Sequence, residues 1–494
     1  MNRSGWTLGV GLLALVSLQA ARAQEPAKNP EDAFSTIEGF TIPAGVVLEV
    51  GALEWLPGDR LAVSSRRGEI YVVHNPLAAE PATESRFVKF AEGLHEVLGL
   101  AYRDGWLYAT QRGEVTRMKD EDGDGRADLF ETVADGWEIG GDYHEYAFGS
   151  KFDKDGNLWV ALCLTGSFNS DNKFRGWALR ITPDGKVVPT TSGLRSPGGI
   201  AANAAGDMFF TENQGPWNGA CALKELRPGH FVGHPGGLKW YDDAPGIAAR
   251  PAEPKSGSRL IEESKRIPEL IPPAVYFPYP VMGQSSSGIA CDLSGGKFGP
   301  FSGQFFVGDQ AASTVMRVAL EKVNGRYQGA CFPFRRGFGS GNVALLFGPG
   351  GELFVGGTNR GWGSRGPKEF ALERLTWKGE TPFEVHHMTA NPDGFSLSFT
   401  APVDRATASD PGSYPMRAYT YIYQSSYGSP EVDVSTPKVT RAEVADDGKS
   451  VRLTVDGLRE GHVHELHMDA LRDASKGPLL HSEAYYTLNV IPGR

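Results

Sequence analysis

One short pattern of hydrophobic and polar positions recurs along the first three quarters of the chain. A glycine is followed by one or two polar or bulky residues and then by a short apolar run. The leading apolar residues of the six copies are Leu61, Leu107, Leu158, Met208, Phe305 and Leu353. Runs of this length, bounded by turn residues, predict β-strands and not helices.

The spacing of these copies predicts the architecture. The leading residues are separated by 46, 51, 50, 97 and 48 positions. A unit of three or four short strands repeated roughly every 40–50 residues is typical of propeller blades. We therefore predict an all-β chain with a six-bladed β-propeller over residues 40–381. The double interval is interpreted as an insertion over about 228–282, rich in proline and charge, and not as a seventh blade.

The pattern changes after residue 381. Strict alternation of apolar and polar positions appears in 396–399, 451–455 and 485–490, without the glycine-led unit. Alternation of this kind favours half-buried antiparallel strands. We expect residues 382–494 to form a small β-sandwich, immunoglobulin-like in type, that supports or binds.

The N-terminus has the pattern of an export signal. Arg3 precedes an apolar run from Leu8 to Leu18, and a small-residue cleavage motif ends at Ala23. We predict a signal peptide over residues 1–23, a linker over 24–39, and a periplasmic or secreted protein. No later segment is apolar enough for a membrane span, so stable membrane insertion is not expected.

Composition and charge narrow the function further. The chain has 63 Gly and 33 Pro in 494 residues, which disfavours a helical fold. Its formal net charge of −10, without a basic stripe, argues against binding nucleic acid. Cys163, Cys221, Cys291 and Cys331 allow three disulfide pairings. The sequence leaves open whether they form structural bridges or remain buried thiols.

A candidate calcium loop lies between predicted propeller strands. Acidic side chains stand at positions 1, 3, 5, 9 and 12 of a twelve-residue segment, with Gly123 fourth and Gly125 sixth. Calcium binds several oxygen ligands at once, and the sixth-position glycine permits the sharp turn. The predicted metal residues are Asp120, Asp122, Asp124, Arg126, Asp128 and Glu131, with Arg126 at the position that offers a backbone carbonyl. The alternative is a solvated acidic turn.

Two polar clusters precede the first strands of the third and fourth blades. In the first, Tyr143 and His144 are candidates for acid and base, because histidine exchanges protons near neutral pH. In the second, Arg195 offers a planar cation for substrate oxygens or a developing negative charge. The proposed binding residues around them are Ser196, Gln214, Gly215, Pro216 and Trp217.

Two further histidines lie in the predicted insertion. His230 and His234 are four residues apart, which is the spacing of a helical metal pair, but neighbouring glycine and proline argue against a helix. Substrate contact, metal binding and a structural role all remain open for them.

At these clusters the chain resembles the PQQ-dependent soluble glucose/sorbosone dehydrogenase-like six-bladed propellers, and among them the planctomycete and verrucomicrobial type. The resemblance covers about residues 40–380. It depends on HEYAFGSKFDKDGNLWVA from His144, RGWALRITPDG from Arg175 and GLRSPGGIAANAAGDMFFTENQGP from Gly193. It implies that His144 is the catalytic base, that Arg195 polarises sugar or quinone, and that the Gly215-Pro216 backbone contacts calcium and cofactor.

The chain departs from the family pattern at several positions. Ser196 stands where the family usually has asparagine, and Asp309-Gln310-Ala311-Ala312 where it has a lysine. Asn342 ends a Gly-Ser-Gly-Asn segment where the family has an Arg-x-Arg pair. PQQ carries three carboxylates, which are costly to bury without cations. Arg335, Arg336, Arg360 and Arg365 are candidates to replace the missing cations, and Asn342 and Arg360 are included among the candidate binding residues.

The leading hypothesis is an exported quinoprotein-type sugar dehydrogenase that oxidises an aldose or related sugar, with His144 as general base. Its expected cofactors are PQQ and Ca²⁺, and its partners are a sugar or polysaccharide-derived substrate and a separate electron acceptor. One alternative is a PQQ-independent sugar lyase or hydrolase that uses Tyr143 and His144. Another is a propeller that binds carbohydrate without catalysis.

Overall fold

The structure is a computed structural model that describes residues 29–244, 246–247, 249–361 and 363–493. The predicted signal peptide, residues 1–23, lies outside the described residues. Within those ranges, none of the helices has the length and apolar character needed to cross a bilayer.

Six antiparallel four-stranded blades form the first part of the molecule. Blade one contains β2 (Val50–Leu56), β3 (Arg60–Ser65), β4 (Ile70–His74) and β5 (Arg86–Ala91), and blade two contains β6 (Gly99–Arg103), β7 (Trp106–Thr110), β8 (Val115–Lys119) and β9 (Leu129–Ala134). Blade three contains β10 (Ala147–Phe152), β11 (Leu158–Leu162), β12 (Trp177–Ile181) and β13 (Val187–Ser192), and blade four contains β14 (Pro197–Ala202), β15 (Met208–Glu212), β16 (Cys221–Glu225) and β17 (Val275–Phe277). Blade five contains β18 (Ser286–Cys291), β19 (Phe305–Asp309), β20 (Thr314–Val323) and β21 (Arg326–Arg336), and blade six contains β22 (Asn342–Phe347), β23 (Leu353–Thr358), β24 (Phe370–Trp377) and β1 (Ser35–Gly39).

The blades close into a ring. The first strands contact one another in the order β2, β6, β10, β14, β18 and β22, and β22 contacts β2 again. Blade six is completed by β1, which pairs antiparallel with β24 from Ser35 opposite Trp377 to Gly39 opposite Glu373. Residues 35–39 were expected to be part of a linker; they instead supply this outer strand, which joins the two ends of the propeller.

The repeated sequence unit corresponds to the first turn of each blade. Each leading apolar residue is at or next to the start of the second strand of its blade, and all six are at most 4% exposed. The preceding glycines all have positive φ, from 76° at Gly58 to 98° at Gly351. Glycine adopts this backbone region without the steric cost that other residues meet. The predicted six-bladed propeller is confirmed.

The long interval is an insertion into blade four. Residues 226–274 connect β16 to β17 and contain a 3₁₀ helix, Pro235–Asp243, and the helix α2, Leu260–Arg266. The remaining short helical segments are α1 (Pro81–Glu84), α3 (Arg405–Ala408) and the 3₁₀ turns Pro30–Ala33 and Pro411–Ser413.

The C-terminal region is a β-sandwich, as predicted. One sheet has the order β25 (Val385–Asn391), β26 (Gly394–Phe399), β30 (Ser450–Asp456) and β29 (Lys438–Val444). The other has the order β32 (Glu483–Leu488), β31 (His462–His467), β27 (Met416–Tyr421) and β28 (Glu431–Ser435).

The second sheet of the sandwich continues blade five. Strand β32 pairs with β21 from Gly329 opposite Thr487 to Cys331 opposite Tyr485. The sandwich core includes Ala330 and Phe332 from the blade. The sandwich therefore covers the outer edge of blade five, an edge that would otherwise expose unpaired backbone groups.

All four cysteines lie in described ranges and are free thiols. Cys163, Cys221 and Cys331 are buried, and Cys291 is half-buried. Burial raises the pKa of the Cys163 thiol to about 12. Of the two interpretations left open by the sequence, the structure therefore has thiols, mostly buried.

Candidate active site

A cavity of about 410 Å³ opens at one end of the propeller axis. Its floor is formed where the first strands begin and where the second strands end. Because neighbouring strands run antiparallel, these two positions meet at the same edge of every blade. Of the predicted site residues, those that line it are Tyr143, His144, Arg195, Ser196, Gln214 and Arg360.

His144 is held in one protonation form. Its Nδ1 lies 3.0 Å from the carbonyl oxygen of Leu164, which can only accept a hydrogen bond, so Nδ1 carries the proton. In the neutral ring, Nε2 is then an acceptor, and the hydroxyl of Ser196 lies 3.2 Å from it. Burial, together with the nearby charge of Arg195, lowers the pKa of His144 to about 4. At neutral pH the cavity therefore contains a neutral, oriented base whose Nε2 carries no proton.

Arg195 and Ser196 are positioned by a buried carboxylate. Glu212, at the end of β15, accepts hydrogen bonds from the backbone N–H of Arg195 at 3.0 Å and of Ser196 at 2.6 Å. Its carboxylate also lies 3.7 Å from the ammonium of Lys224, and both side chains are almost fully buried. Burial lowers the pKa of Lys224. This network fixes the turn that carries the arginine and serine.

The guanidinium of Arg195 has no carboxylate partner among the described residues. Its Nη1 donates to the carbonyl oxygen of Gln214 at 2.8 Å, and its side chain is close to Gly215. A Cβ at Gly215 would lie 2.2 Å from the Arg195 Nε, so only glycine leaves room for this arginine.

The other two arginines of the cavity are already paired. Arg66 lies 2.6 Å from a Glu96 oxygen and packs over the ring of Tyr146 at 5.1 Å. Arg360 pairs with Glu49 at 3.1 Å and is partly exposed. Among the described lining residues there is no Asp or Glu. The cavity therefore combines one cation that lacks a carboxylate partner among the described residues with amides, hydroxyls and a neutral histidine.

Three predicted binding residues lie behind the cavity wall. Gly215, Pro216 and Trp217 form a turn that does not line the cavity. The Gly215 carbonyl accepts hydrogen bonds from the N–H groups of Asn218 and Gly428, both at 3.1 Å. The second of these donors comes from the C-terminal sandwich, which covers this turn.

Three other predicted binding residues have roles away from the cavity lining. His230 is half-buried, with Nδ1 2.9 Å from the carbonyl oxygen of Pro228. His234 caps the 3₁₀ helix Pro235–Asp243, because its Nδ1 accepts a hydrogen bond from the N–H of Gly236 at 3.1 Å, and burial lowers its pKa to about 3. Asn342 is buried and donates to the carbonyl oxygen of Thr314 at 2.9 Å. Neither the histidine pair nor Asn342 reaches the cavity.

The acidic loop brings together only part of the predicted metal set. Carboxylate oxygens of Asp120, Asp122 and Asp124 lie within 4.8 Å of one another. Asp128 instead accepts hydrogen bonds from backbone N–H groups within the loop. Glu131 pairs with Arg117 at 2.5 Å, so the expected twelfth-position ligand is turned away. The backbone N–H of Arg126 donates to the Asp124 carboxylate at 2.8 Å.

Sequence reasoning missed several lining residues. Arg66, Asn213 and Gln310 each follow the second strand of a blade, as Arg360 nearly does, so alignment of the repeats would have identified this position. Ser285, Ser286 and Ser287 precede or begin β18 in the same way that Ser196 precedes β14.

Tyr427 had no such signal, because it belongs to the sandwich and not to a blade. It nevertheless lines the cavity and lies over the Arg195 guanidinium, with 5.3 Å from the guanidinium carbon to the ring centroid.

Comparison with known proteins gives a family match to part of the chain. A family model described as a domain of unknown function (DUF7133) matches residues 83–236. No curated protein matches the sequence.

Several solved structures are similar to this chain. One described as a putative oxidoreductase (glucose dehydrogenase) from Thermus thermophilus has 22% identity, covers 69% of this chain and 99% of its own, and gives a TM-score of 0.49. The PQQ-bound aldose sugar dehydrogenase of Streptomyces coelicolor has 19% identity, covers 72% of this chain and 99% of its own, and gives a TM-score of 0.48. The apo form of the soluble aldose sugar dehydrogenase of Escherichia coli has 16% identity, covers 70% of this chain and 100% of its own, and gives a TM-score of 0.48.

Proposed function

We propose that this chain is an exported, carbohydrate-active oxidoreductase that binds a sugar in the central cavity, with His144 as the general base. One observation carries the proposal: the Leu164 carbonyl fixes the His144 proton on Nδ1 and leaves Nε2, beside the Ser196 hydroxyl, as the proton acceptor in the cavity. A neutral base of this kind needs no change of protonation before it acts at neutral pH. Export rests on the N-terminal sequence.

The chain's own residues account for the proton half of a sugar oxidation. A substrate hydroxyl in place of the Ser196 hydroxyl would donate to His144 Nε2, which now lies 3.2 Å from Ser196 Oγ. Loss of that proton leaves negative charge on the sugar oxygen. The guanidinium of Arg195, which has no carboxylate partner among the described residues, is the nearby cation that would stabilise it.

The family resemblance implies PQQ and calcium as cofactors, and the described residues fit them poorly. Arg195 could meet one of the three PQQ carboxylates, but Arg66 and Arg360 are paired with Glu96 and Glu49. The Gly215 carbonyl that the resemblance assigns to calcium and cofactor already accepts two backbone hydrogen bonds. No step is therefore assigned to PQQ. The oxidation removes two electrons and a proton from the sugar carbon as a hydride, so it needs a separate two-electron acceptor, such as the dye of the assay below.

A second candidate is a lyase that acts on acidic sugars. Arg195 is a buried cation without a carboxylate partner among the described residues, which suits a uronate carboxylate. His144 would take a ring proton, and Tyr143 would protonate the leaving oxygen. A hydrolase of the common two-carboxylate type is disfavoured, because the described lining contains no carboxylate.

A single set of assays distinguishes these reactions. The purified chain, with and without added PQQ and calcium, is given aldoses and a dye acceptor, and separately given uronate-containing oligosaccharides. We expect dye reduction with an aldose, absent in His144→Gln. Ultraviolet absorbance from an unsaturated uronate would instead establish the lyase. Stoichiometric retention of PQQ would show that the protein holds this cofactor despite the poor fit of the described residues.

We further propose that Asp120, Asp122 and Asp124 bind calcium in a structural role. Support comes from the proximity of the three carboxylates, since a hard divalent cation prefers several oxygen ligands at once. The pairing of Glu131 with Arg117 leaves this site with fewer protein ligands than the sequence predicted, so we expect modest affinity.

A further inference from the structure

Three aromatic side chains surround the mouth of the cavity and are exposed. Tyr143, Phe168 and Tyr427 all line the cavity, and they are 57%, 53% and 60% exposed. Large apolar side chains that gather at a concave polar site commonly mark a binding surface. These three come from separate connections, before β10, after β11 and between β27 and β28.

The segment that carries Tyr427 is fixed against the propeller. Tyr427 forms a β-bridge with Pro216, and the N–H of the next residue, Gly428, donates to the Gly215 carbonyl at 3.1 Å. The N–H of Trp217 donates to the carbonyl oxygen of Gln424 at 2.7 Å. An exposed side chain on a backbone held in this way is already ordered before a ligand binds, which lowers the entropic cost of binding.

Tyr427 lies between the polar floor and solvent. Its ring is 5.3 Å from the guanidinium carbon of Arg195, whose side chain is on the floor and is 5% exposed. The Tyr143 ring, which also lines the cavity, is 5.9 Å from the His144 ring. A ligand that contacts His144 and Arg195 therefore lies beside exposed aromatic rings, and a part of it that extends out of the cavity can pack against them.

We propose that Tyr427, with Phe168 and Tyr143, forms a second sugar-ring subsite at the cavity mouth, so that the substrate is the end of an oligosaccharide. The inference rests on the proposed function, because it takes the floor as the subsite of the reacting ring. The C–H faces of a pyranose pack against aromatic rings, while its hydroxyl groups stay at the edge in contact with water. Tyr427, a residue of the sandwich, would thus make the propeller cavity selective for saccharides of more than one ring.

The test measures binding as a function of ring number. Calorimetric titration uses neutral gluco-, manno- and xylo-configured saccharides and a uronate series, each of one, two and three rings. We expect at least one series to bind about tenfold more tightly with two rings than with one. Tyr427→Ala should remove that gain, measured as the ratio of two-ring to one-ring affinity within the same variant, whereas Tyr427→Phe, which keeps the aromatic face, should retain it.

Phe130→Ala is the matched control, because Phe130 is an exposed aromatic, 45% exposed, on β9 and outside the cavity lining. It should keep the gain with ring number. One-ring binding without any gain from a second ring, or a gain that survives Tyr427→Ala, overturns the second subsite and leaves the proposed function standing. Absence of binding by every saccharide overturns both.

Discussion

At the scale of the residue, His144 is defined by what its two nitrogens contact. Burial of the ring lowers its pKa to about 4 and keeps it neutral, although the hydrogen bond to the Leu164 carbonyl opposes that shift; the same carbonyl fixes the tautomer. The sequence identified this histidine as a candidate because it precedes a blade's first strand among tyrosines. It could not supply the tautomer, since Leu164 is twenty residues away and on another connection.

We expect His144→Gln to lower turnover by about 10²–10⁴-fold, because glutamine keeps hydrogen-bonding capacity but cannot take a proton. His230→Gln is the control, since His230 lies outside the cavity lining and is half-buried. Steady-state kinetics and a thermal melt of both variants separate lost catalysis from lost folding. Unchanged turnover in His144→Gln would refute its role as base.

The pH dependence of turnover follows from the same residue. A base acts in its deprotonated form, so activity requires pH above its pKa of about 4. We expect the acidic limb of kcat/KM to fall near pH 4 and not near the ordinary histidine value of about 6.5. A limb centred between pH 6 and 7, in a buffer series over which the protein stays folded, would contradict the assignment.

At the scale of the element, the glycine of each repeat unit permits the first turn of its blade. Gly105 has a φ of 86°, and an added Cβ would meet nothing within 4 Å. A substitution there therefore tests backbone strain alone. The periodic glycines and apolar residues could be recognised in the sequence because every blade forms its first turn with the same local backbone conformation.

We expect Gly105→Ala to lower the free energy of unfolding by about 1–2 kcal/mol, the cost of a left-handed conformation for an L-residue. Gly39→Ala serves as its control, because Gly39 lies in β1 without a positive φ and its Cβ would meet only Lys368 Nζ at 3.9 Å. Denaturant unfolding of both variants gives the comparison. Equal effects at the two sites would show that turn conformation is not the cause.

The acidic loop brings together fewer potential metal ligands than its sequence predicted. The sequence predicted six ligands, whereas the described geometry brings together Asp120, Asp122 and Asp124. Glu131 on β9 is directly opposite Arg117 on β8, so the strand pairing brings the two side chains together as an ion pair. Spacing along the chain could not reveal a competing cation on the adjacent strand.

We expect calcium to raise the thermal midpoint of the wild-type protein in a concentration-dependent way, because a ligand that binds only the folded state stabilises it. Asp122→Asn should weaken this shift, and removal of calcium with a chelator should reverse it. Asp155→Asn, in an exposed turn of blade three, is the control and should leave the shift intact. A shift that persists in Asp122→Asn would place the metal elsewhere.

At the scale of the whole molecule, the sandwich and the N-terminal turn are joined by a buried ionic network. The His481 ring contacts Glu384 at 2.6 Å and Glu31 at 3.1 Å, and Arg335 also contacts Glu31 at 3.2 Å. Although burial opposes it, the two carboxylates raise the pKa of His481 to about 9. The pKa of Glu31 falls to about 2, since hydrogen bonds, the first from His481, outweigh its burial.

This network predicts a pH-dependent stability. The folded state keeps the His481 proton more tightly than the unfolded state, so its contribution is fully present below about pH 6.5 and is lost as pH rises through about 9. We expect a loss on the order of 2–3 kcal/mol over that interval, converted from the pKa difference. In denaturant unfolding, His481→Gln should make the free energy of unfolding less dependent on pH over this interval. A pH dependence identical to that of the wild type would contradict the assignment.

The sandwich should also be necessary for the propeller. Ala319, Ala330 and Phe332 of blade five belong to the sandwich core, and β21 would become an open edge without β32. A chain ending at residue 381 should therefore aggregate or melt without cooperativity, measured by size exclusion and calorimetry. A soluble truncated chain with a cooperative transition would show that the propeller is independent.

The sequence by itself determined what repeats: six blades, their first turns, the insertion in blade four and the alternating strands of the sandwich. These features are local, because hydrophobic spacing and glycine act within a few residues. It also identified Tyr143, His144, Arg195 and Ser196, which begin blades in the same relative place. Only the tertiary structure decided that β1 completes blade six, that Glu212 holds the Arg195 turn, and that Tyr427 lies over Arg195. Each of these contacts joins segments far apart in the chain, and no local pattern encodes which distant segment will arrive there.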